Sequence, residues 1–435
     1  MPSGIDLNRR DLWRAGLTGA AVGLAGPAEA GMAVAEPDPR GLLRFPPALP
    51  GVVDFTAWLS APVIIRSIEV FQLGRPDTQF VRVISEDGVE GVVKANARME
   101  EVISLLDLAV APAFIGQDAR DIARLIDEVY RRQYKFAGLA LWTAIGHCEL
   151  AIWDMLGKTA GRPCIDFMGP RIRDRVPIYV SSLARDTSPE VEVARFEEAV
   201  ARTGARALKL KVGGRMSRNA DASPGRQEAL VALTRRTFGD AMTIYADANG
   251  SFDAPRAIEI CAMLEDHGVD ILEEPCPFED FEMTAQVTAH VRRRRYKLKI
   301  AGGEQDGALE RWRWYLRHRG LHILQPDFMY NGGMIRTLLV ARMAAEAGVP
   351  VAPHYPRNGV EMVELLHFAC ATPNLYGFQE YRQRERRLDF EHEPRIAPAN
   401  GELALPTGPG FGARYGASIW RDAVRLNRTV TRADL

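Results

Sequence analysis

Seven short apolar runs in the second half of this sequence each end in, or just after, an ionisable residue. They are ALKLK with Lys209 and Lys211, TIYAD with Asp247, DILEE with Glu273, LKIAGGE with Glu304, HILQPD with Asp327, VPVAPH with His354 and LYGFQE with Glu380. In a parallel barrel all strand C-termini lie on one rim, so residues far apart in sequence would meet there in one pocket. Asp247, Glu273 and Glu304 end consecutive strands at intervals of roughly thirty residues, and three like charges that close need a cation. Hard oxygen ligands without His or Cys point to Mg²⁺, with Mn²⁺ as the alternative. Glu274 adjoins Glu273 and either could be the ligand. Strand alternation lets only one of them face the pocket, and Glu273 is preferred.

Lys209 and Lys211 are two apart, so on a strand they share a face, and strands of a parallel barrel have no solvated face. Mutual repulsion and the nearby cation should lower the ammonium pKa, and Lys211, closer to the strand end, is the expected base. His354 ends the seventh strand, across the barrel from Lys211. Asp327, ending the sixth, would fix its tautomer and raise its basicity. Glu380, on the last strand, would hydrogen-bond a substrate carboxylate if protonated.

This set suits removal of the proton α to a carboxylate, which creates a dianionic enediolate. A positioned general base supplies only about 10²- to 10⁴-fold. The larger share of the stabilisation falls to the cation and Lys209.

Eight strand-like runs (178–182, 207–212, 243–247, 270–273, 298–301, 322–325, 349–352 and 375–379) with helical patterns between them fit a closed parallel barrel better than an open sheet. Ahead of them, 64–73, 78–85 and 89–93 read as a three-stranded meander. A helix bearing Ile122, Leu125, Ile126 and Val129 follows, with Asp118 as its expected N-cap. An Ala-rich helix over about 139–156 then stops at Gly157. The expected organisation is an export signal at 1–30, an extended lead-in at 31–62, an α+β cap at 63–170 and the barrel at 171–395. The segment 396–435 would pack back on the cap.

The chain of 435 residues carries a formal net charge of −1, which offers no global attraction for nucleic acid or an anionic membrane. The one dense basic block, Arg292 to Arg295, ends a helix-like segment where cations suit the helix dipole. The five cysteines are scattered without C-x-x-C spacing, which argues against a disulfide framework or a zinc site. No phosphate-binding glycine motif follows a strand. Near the N-terminus, Arg9-Arg10 precede an apolar stretch and Ala28-Glu29-Ala30, an arrangement that resembles a twin-arginine export signal. The apolar part is too short to span a bilayer, so the mature protein is expected to be periplasmic without a stable membrane anchor. Without export it would be cytoplasmic.

The motifs K-L-K (209–211), D-A-N (247–249), E-E-P (273–275), G-G-E (302–304), Q-P-D (325–327), A-P-H (352–354) and the late Glu380 together resemble the enolase superfamily, mandelate racemase subgroup. The run from Glu149 to Lys158 is similar to the helix that ends the family's capping domain. The resemblance covers about 64–412 and implies a modified (β/α)₇β barrel of TIM type under an N-terminal α+β cap. It implies metal ligands Asp247, Glu273 and Glu304, bases Lys211 and His354 with Asp327, and substrate-carboxylate contacts from Lys209, Asn249 and Glu380. Asp327 stands where muconate-lactonizing relatives carry a lysine, which argues against that branch.

Members with this set are mostly acid-sugar dehydratases, so the expected reaction is dehydration of an aldonate or aldarate to a 2-keto-3-deoxy acid. The alternative on the same site is racemisation or epimerisation of a 2-hydroxy acid. An exported, non-catalytic sugar-acid binding protein is the third reading. Substrate choice is expected from the loops near 74–77, 96–100 and 213–225, with Arg75, Arg98 and Arg357 as candidate contacts. The resemblance also implies a symmetric homo-oligomer.

Overall fold

The computed structural model describes residue 49 and residues 51–428, apart from 386, 387 and 389. The expected export signal and most of the lead-in lie outside the described residues. The described end of the lead-in is anchored in the fold. Asp54 accepts from the Thr56 amide (3.0 Å) to cap the short turn Phe55–Ala57. Phe55 is buried with its ring centroid 4.9 Å from Trp153 and 5.2 Å from Phe167.

The cap is built on β1 (Ile65–Gln72), β2 (Gln79–Ser85) and β3 (Glu90–Lys94), the expected antiparallel meander. Asp118 caps a single tight turn, Ala119–Asp121, which leads into the helix Ile122–Arg132. The mostly apolar helix Leu139–Thr159 is buried without interruption from Leu141 to Gly157, its buried polar residues Thr143, His147, Glu149 and Asp154 all hydrogen-bonded. It packs on β2 and β3 on one side and against the helix Met334–Glu346 on another. At Gly91 a Cβ would overlap the Ala151 and Met155 backbone, so β3 lies directly on this helix. The expected stop at Gly157 does not occur. A Cβ there would sit 2.6 Å from Gly410 Cα, so this glycine serves close backbone approach and not termination.

Seven parallel strands or strand fragments follow the cap and close on an eighth. The sheet runs β4 (Arg175–Ser181), β5 (Ala207–Lys211), β6 (Thr243–Asp247), β7 (Ile271–Glu273), β8 (Lys299–Gly302) and β9 (Ile323–Leu324), and β10 (Gln379–Arg382) pairs back onto β4. The expected seventh strand narrows to single bridges from Val351 to Leu324 and to Leu375, which complete the ring. The last strand lies further along the chain than the expected 375–379. The crossover helices, from Pro189–Thr203 to Val363–Ala371, cover the outside. Tyr179, Ala207, Tyr245, Ile271, Ala301, Ile323 and Ala352 fill the barrel interior below the rim. A TIM-type barrel, modified in its closing strands, thus sits against an α+β cap.

Beyond β10, β11 (His392–Glu393) pairs with β13 (Arg414–Tyr415), and β12 (Glu402–Ala404) adds antiparallel to β4. Finally β14 (Val424–Arg425) extends the cap sheet beside β1, making it four-stranded. Among the described residues no helix is long and apolar enough to cross a membrane.

Glu149 ties the cap helix to the barrel. Its buried carboxylate accepts from the Met334 amide (2.7 Å), the Ile335 amide (2.9 Å) and Trp153 Nε1–H (2.7 Å), capping the helix that follows the Asp327 loop. Glu149→Gln would turn an N–H donor against these donors. The expected result is a loss of about 1–3 kcal/mol in stability, read as a lower denaturation midpoint with unchanged slope. An unchanged midpoint would show that the cap is dispensable.

Candidate active site

The register of the barrel places the rim residues in one layer. Lys211 pairs with Asp247 across β5 and β6, and Asp247 with Glu273 across β6 and β7. Two residue pairs deeper, Lys209 stands opposite Tyr245. Side chains two apart share a face, so both lysines point inward, as their spacing predicts.

Asp247, Glu273 and Glu304 are all buried and offer oxygens that lie within 4.8 Å of one another. Burial drives the Glu273 carboxyl up, to about 7, with Asp247 and Glu304 adding repulsion against the pull of Lys209. Such a concentration of carboxylates is short of positive charge, and an all-oxygen donor set fits a hard divalent cation. The structure keeps Glu273 and not Glu274 in this group, as preferred, but strand alternation does not hold for Glu274. Its backbone is left-handed (φ +43°), and this turns the buried carboxylate toward the same cluster, where it accepts from Asn249 Nδ2 (3.3 Å). Its other oxygen is buried without a hydrogen-bond partner. Burial and then Glu304 raise its pKa well above the ordinary range.

Lys209 does not behave as repulsion between lysines predicts. Its Nζ donates to both Glu273 oxygens (3.0 and 2.9 Å) and lies 3.0 Å from Glu380 Oε1. Burial opposes its charge, yet Glu273 and Glu380 outweigh burial and raise the ammonium well above its usual value. Glu380 in turn is ionised and not the protonated donor expected. Burial pushes it up, but Lys209 dominates, and with a hydrogen bond from Ser181 Oγ (2.7 Å) the result is a pKa of about 2.

Lys211 Nζ contacts Asp247 Oδ2 and donates to Asn249 Oδ1 at 3.2 Å. On the opposite wall, His354 Nδ1 pairs with Asp327 Oδ2 at 2.8 Å, and its Nε2 lies 3.4 Å from Glu304. The other Asp327 oxygen accepts the amides of Met329 (2.7 Å) and Tyr330 (2.8 Å), so the carboxylate that orients the imidazole is itself held. Burial lowers the His354 pKa, but Glu304 and Asp327 reverse this and raise it to about 10.

A cavity of about 480 Å³ opens between the cap and the rim. Lys211, Asn249, Glu304, His354 and Glu380 line it from the barrel, and Arg98 and Thr143 from the cap. Of the candidate specificity residues, Arg98 reaches this cavity, Arg357 lies beside it in a second one, and Arg75 is exposed and lines neither.

Two family models match the chain: Mandelate racemase / muconate lactonizing enzyme, N-terminal domain, over 64–169, and Enolase C-terminal domain-like over 192–418. The chain belongs to the mandelate racemase and muconate lactonizing enzyme family of the enolase superfamily. It is 30% identical to a D-galactonate dehydratase of Pectobacterium atrosepticum, covering 79% of this chain and 90% of that one. Identity to an arabinonate dehydratase of Saccharolobus solfataricus is 28%, over 71% and 79% of the two chains. Among solved structures, a Roseobacter denitrificans protein provisionally named a racemase superposes with a TM-score of 0.75 at 31% identity, covering 85% of this chain and all of that one. A mandelate racemase/muconate lactonizing protein of Paracoccus denitrificans, complexed with magnesium, shares the fold with a TM-score of 0.77 at 24% identity, over 84% and 99% of the chains.

Several members of this family site escape sequence reasoning. Gln325 donates to Glu273 Oε2 at 2.9 Å; its Q-P-D motif is visible in the sequence, its role is not. Arg185 donates to Asn249 Oδ1 (2.9 Å) and to the Gly213 carbonyl (3.0 Å), clamping the loop after β5 to the end of β6. Arg215 and Tyr330 line the cavity from loops, where no periodicity marks them.

Proposed function

We propose that this enzyme, a lyase of the enolase superfamily, dehydrates an acid sugar to its 2-keto-3-deoxy acid. The observation that carries the reading is the single cavity shared by Lys211, Glu304 and the Asp327-held His354. Asp247, Glu273 and Glu304 would hold Mg²⁺, or Mn²⁺, which when bound supplies positive charge beside the substrate carboxylate.

Lys211, as the free amine, takes the proton from the carbon α to the carboxylate, and Lys209 lies close enough to offset the charge that develops. His354, protonated, gives its proton to the β-hydroxyl as the carbon–oxygen bond breaks, and water leaves. The resulting enol tautomerises to the 2-keto acid. Asn249 and Glu380 bound the space where the substrate carboxylate lies. The named dehydratases among the relatives support this outcome.

Two opposed proton-transfer groups also suit inversion at the α carbon, with His354 returning the proton to the other face. Proton NMR in D₂O with Mg²⁺, across a panel of aldonic and aldaric acids, separates the two. A 2-keto product is expected. Deuterium at the α position without loss of water would replace dehydration by racemisation or epimerisation. With a divalent cation bound and no acid reacting, the acid-sugar assignment is wrong.

A further inference from the structure

A second cavity, of about 270 Å³, adjoins the catalytic one, and Arg98, Tyr330, His354 and Pro356 line both. Cap residues close its far side, and the Asn96 amide donates to His147 Nε2 (3.1 Å), which holds that loop over the barrel. Charges in its wall are mostly matched. Lys94 pairs with Glu361 at 2.8 Å, Asp327 with His354 at 2.8 Å and Arg98 with Glu101 at 2.6 Å.

Arg357 makes no such close pair, although Glu361, Glu364 and Asp327 at longer range help to outweigh the cost of burying it. It is only 6% exposed, yet its guanidinium donates just to the Lys94 carbonyl (3.0 Å) and to Met329 Sδ (3.1 Å), resting 4.7 Å from the Tyr355 ring centroid. Among the described residues no carboxylate lies within 4.0 Å of it. Guanidinium carries five N–H donors, so most of its capacity is unspent. A planar anion that accepts two parallel N–H bonds would use the donors that remain.

We propose that this cavity is the subsite for the distal end of the substrate and that Arg357 receives a second carboxylate there, so the enzyme prefers aldaric to aldonic acids. The inference rests on the acid-sugar reading of the catalytic cavity. A hydroxymethyl end could take one of these N–H bonds, whereas a carboxylate of the same chain length accepts two of them in parallel.

Binding can be read apart from turnover by calorimetry on Mg²⁺-loaded Lys211→Ala, comparing gluconate with glucarate and galactonate with galactarate. In at least one pair the aldarate is expected to bind about 30-fold more tightly, the effect of a charge-assisted hydrogen bond. Two equivalent ends would by themselves account for only about a twofold preference. Adding Arg357→Met should collapse the ratio to that level and leave aldonate affinity within about threefold; Arg357→Gln carries the same comparison if the methionine variant does not fold. Equal affinities in both pairs, or a preference that survives loss of the guanidinium, overturns the subsite. Wild-type turnover of the same four acids separately tests the dehydratase reading, which fails if none yields a 2-keto product.

Discussion

Lys211→Ala is expected to lower kcat by about 10²- to 10⁴-fold, the range a positioned general base supplies. The Nζ of this residue lies in the carboxylate layer beside Asp247 and opens on the cavity that holds His354 on its other side. Removing it takes away the group that accepts the α proton. It also removes a positive neighbour of Asp247, so cation binding should not weaken. The decisive readout is exchange in D₂O. Lys211→Ala should show neither α-deuterium incorporation nor product. His354→Asn, which keeps the base and removes the acid, should still exchange the α proton while losing the 2-keto product. Undiminished α exchange in Lys211→Ala would assign the base elsewhere.

Loss of the divalent cation should have an equally large effect. Chelation, or Glu273→Gln, is expected to abolish turnover, because most of the stabilisation of an enediolate is electrostatic and a base alone contributes only about 10²- to 10⁴-fold. The same site should report on stability. A cation at a hundred times its Kd adds about 2.7 kcal/mol, which for a chain of this length shifts Tm by roughly 3 °C. Burial, with repulsion from Asp247 and Glu304, holds the free Glu273 carboxyl near 7. Below that pH the cation must displace a proton, so its apparent affinity should fall as the solution becomes acidic and level off above it. A chelated protein that stays active, with a Tm indifferent to Mg²⁺ and Mn²⁺, would remove the metal from the mechanism.

The membership of the rim can be read from the chain alone. Seven of the eight barrel strands end at or near an ionisable residue that follows an apolar run, and the two-residue period settles that Lys209 and Lys211 face inward together. Strand order follows chain order, so the neighbourhood of Asp247, Glu273 and Glu304 is legible in their spacing. The α+β cap is legible too, through the meander and the mostly apolar helix at Leu139–Thr159.

How these groups are charged, and what surrounds them, depends on the packed fold. The partners of Lys209 come from β7 and β10, on both sides of its own strand, and their combined pull reverses the pKa direction that two adjacent lysines suggest. Glu380 is ionised for the same reason. Glu274 is turned to the edge of the cluster by a left-handed backbone angle, which strand alternation does not anticipate. Gly157 is spent on the approach of Gly410 from the distant C-terminal segment, so its position in a helix misleads a reading by local rules. That Arg98 lines both cavities and Arg357 only the second is decided once the cap closes over the barrel. Periodicity is a local property of the chain and records which face a residue occupies. Charge state, cavity shape and partner depend on distances between elements far apart in sequence, which folding alone sets.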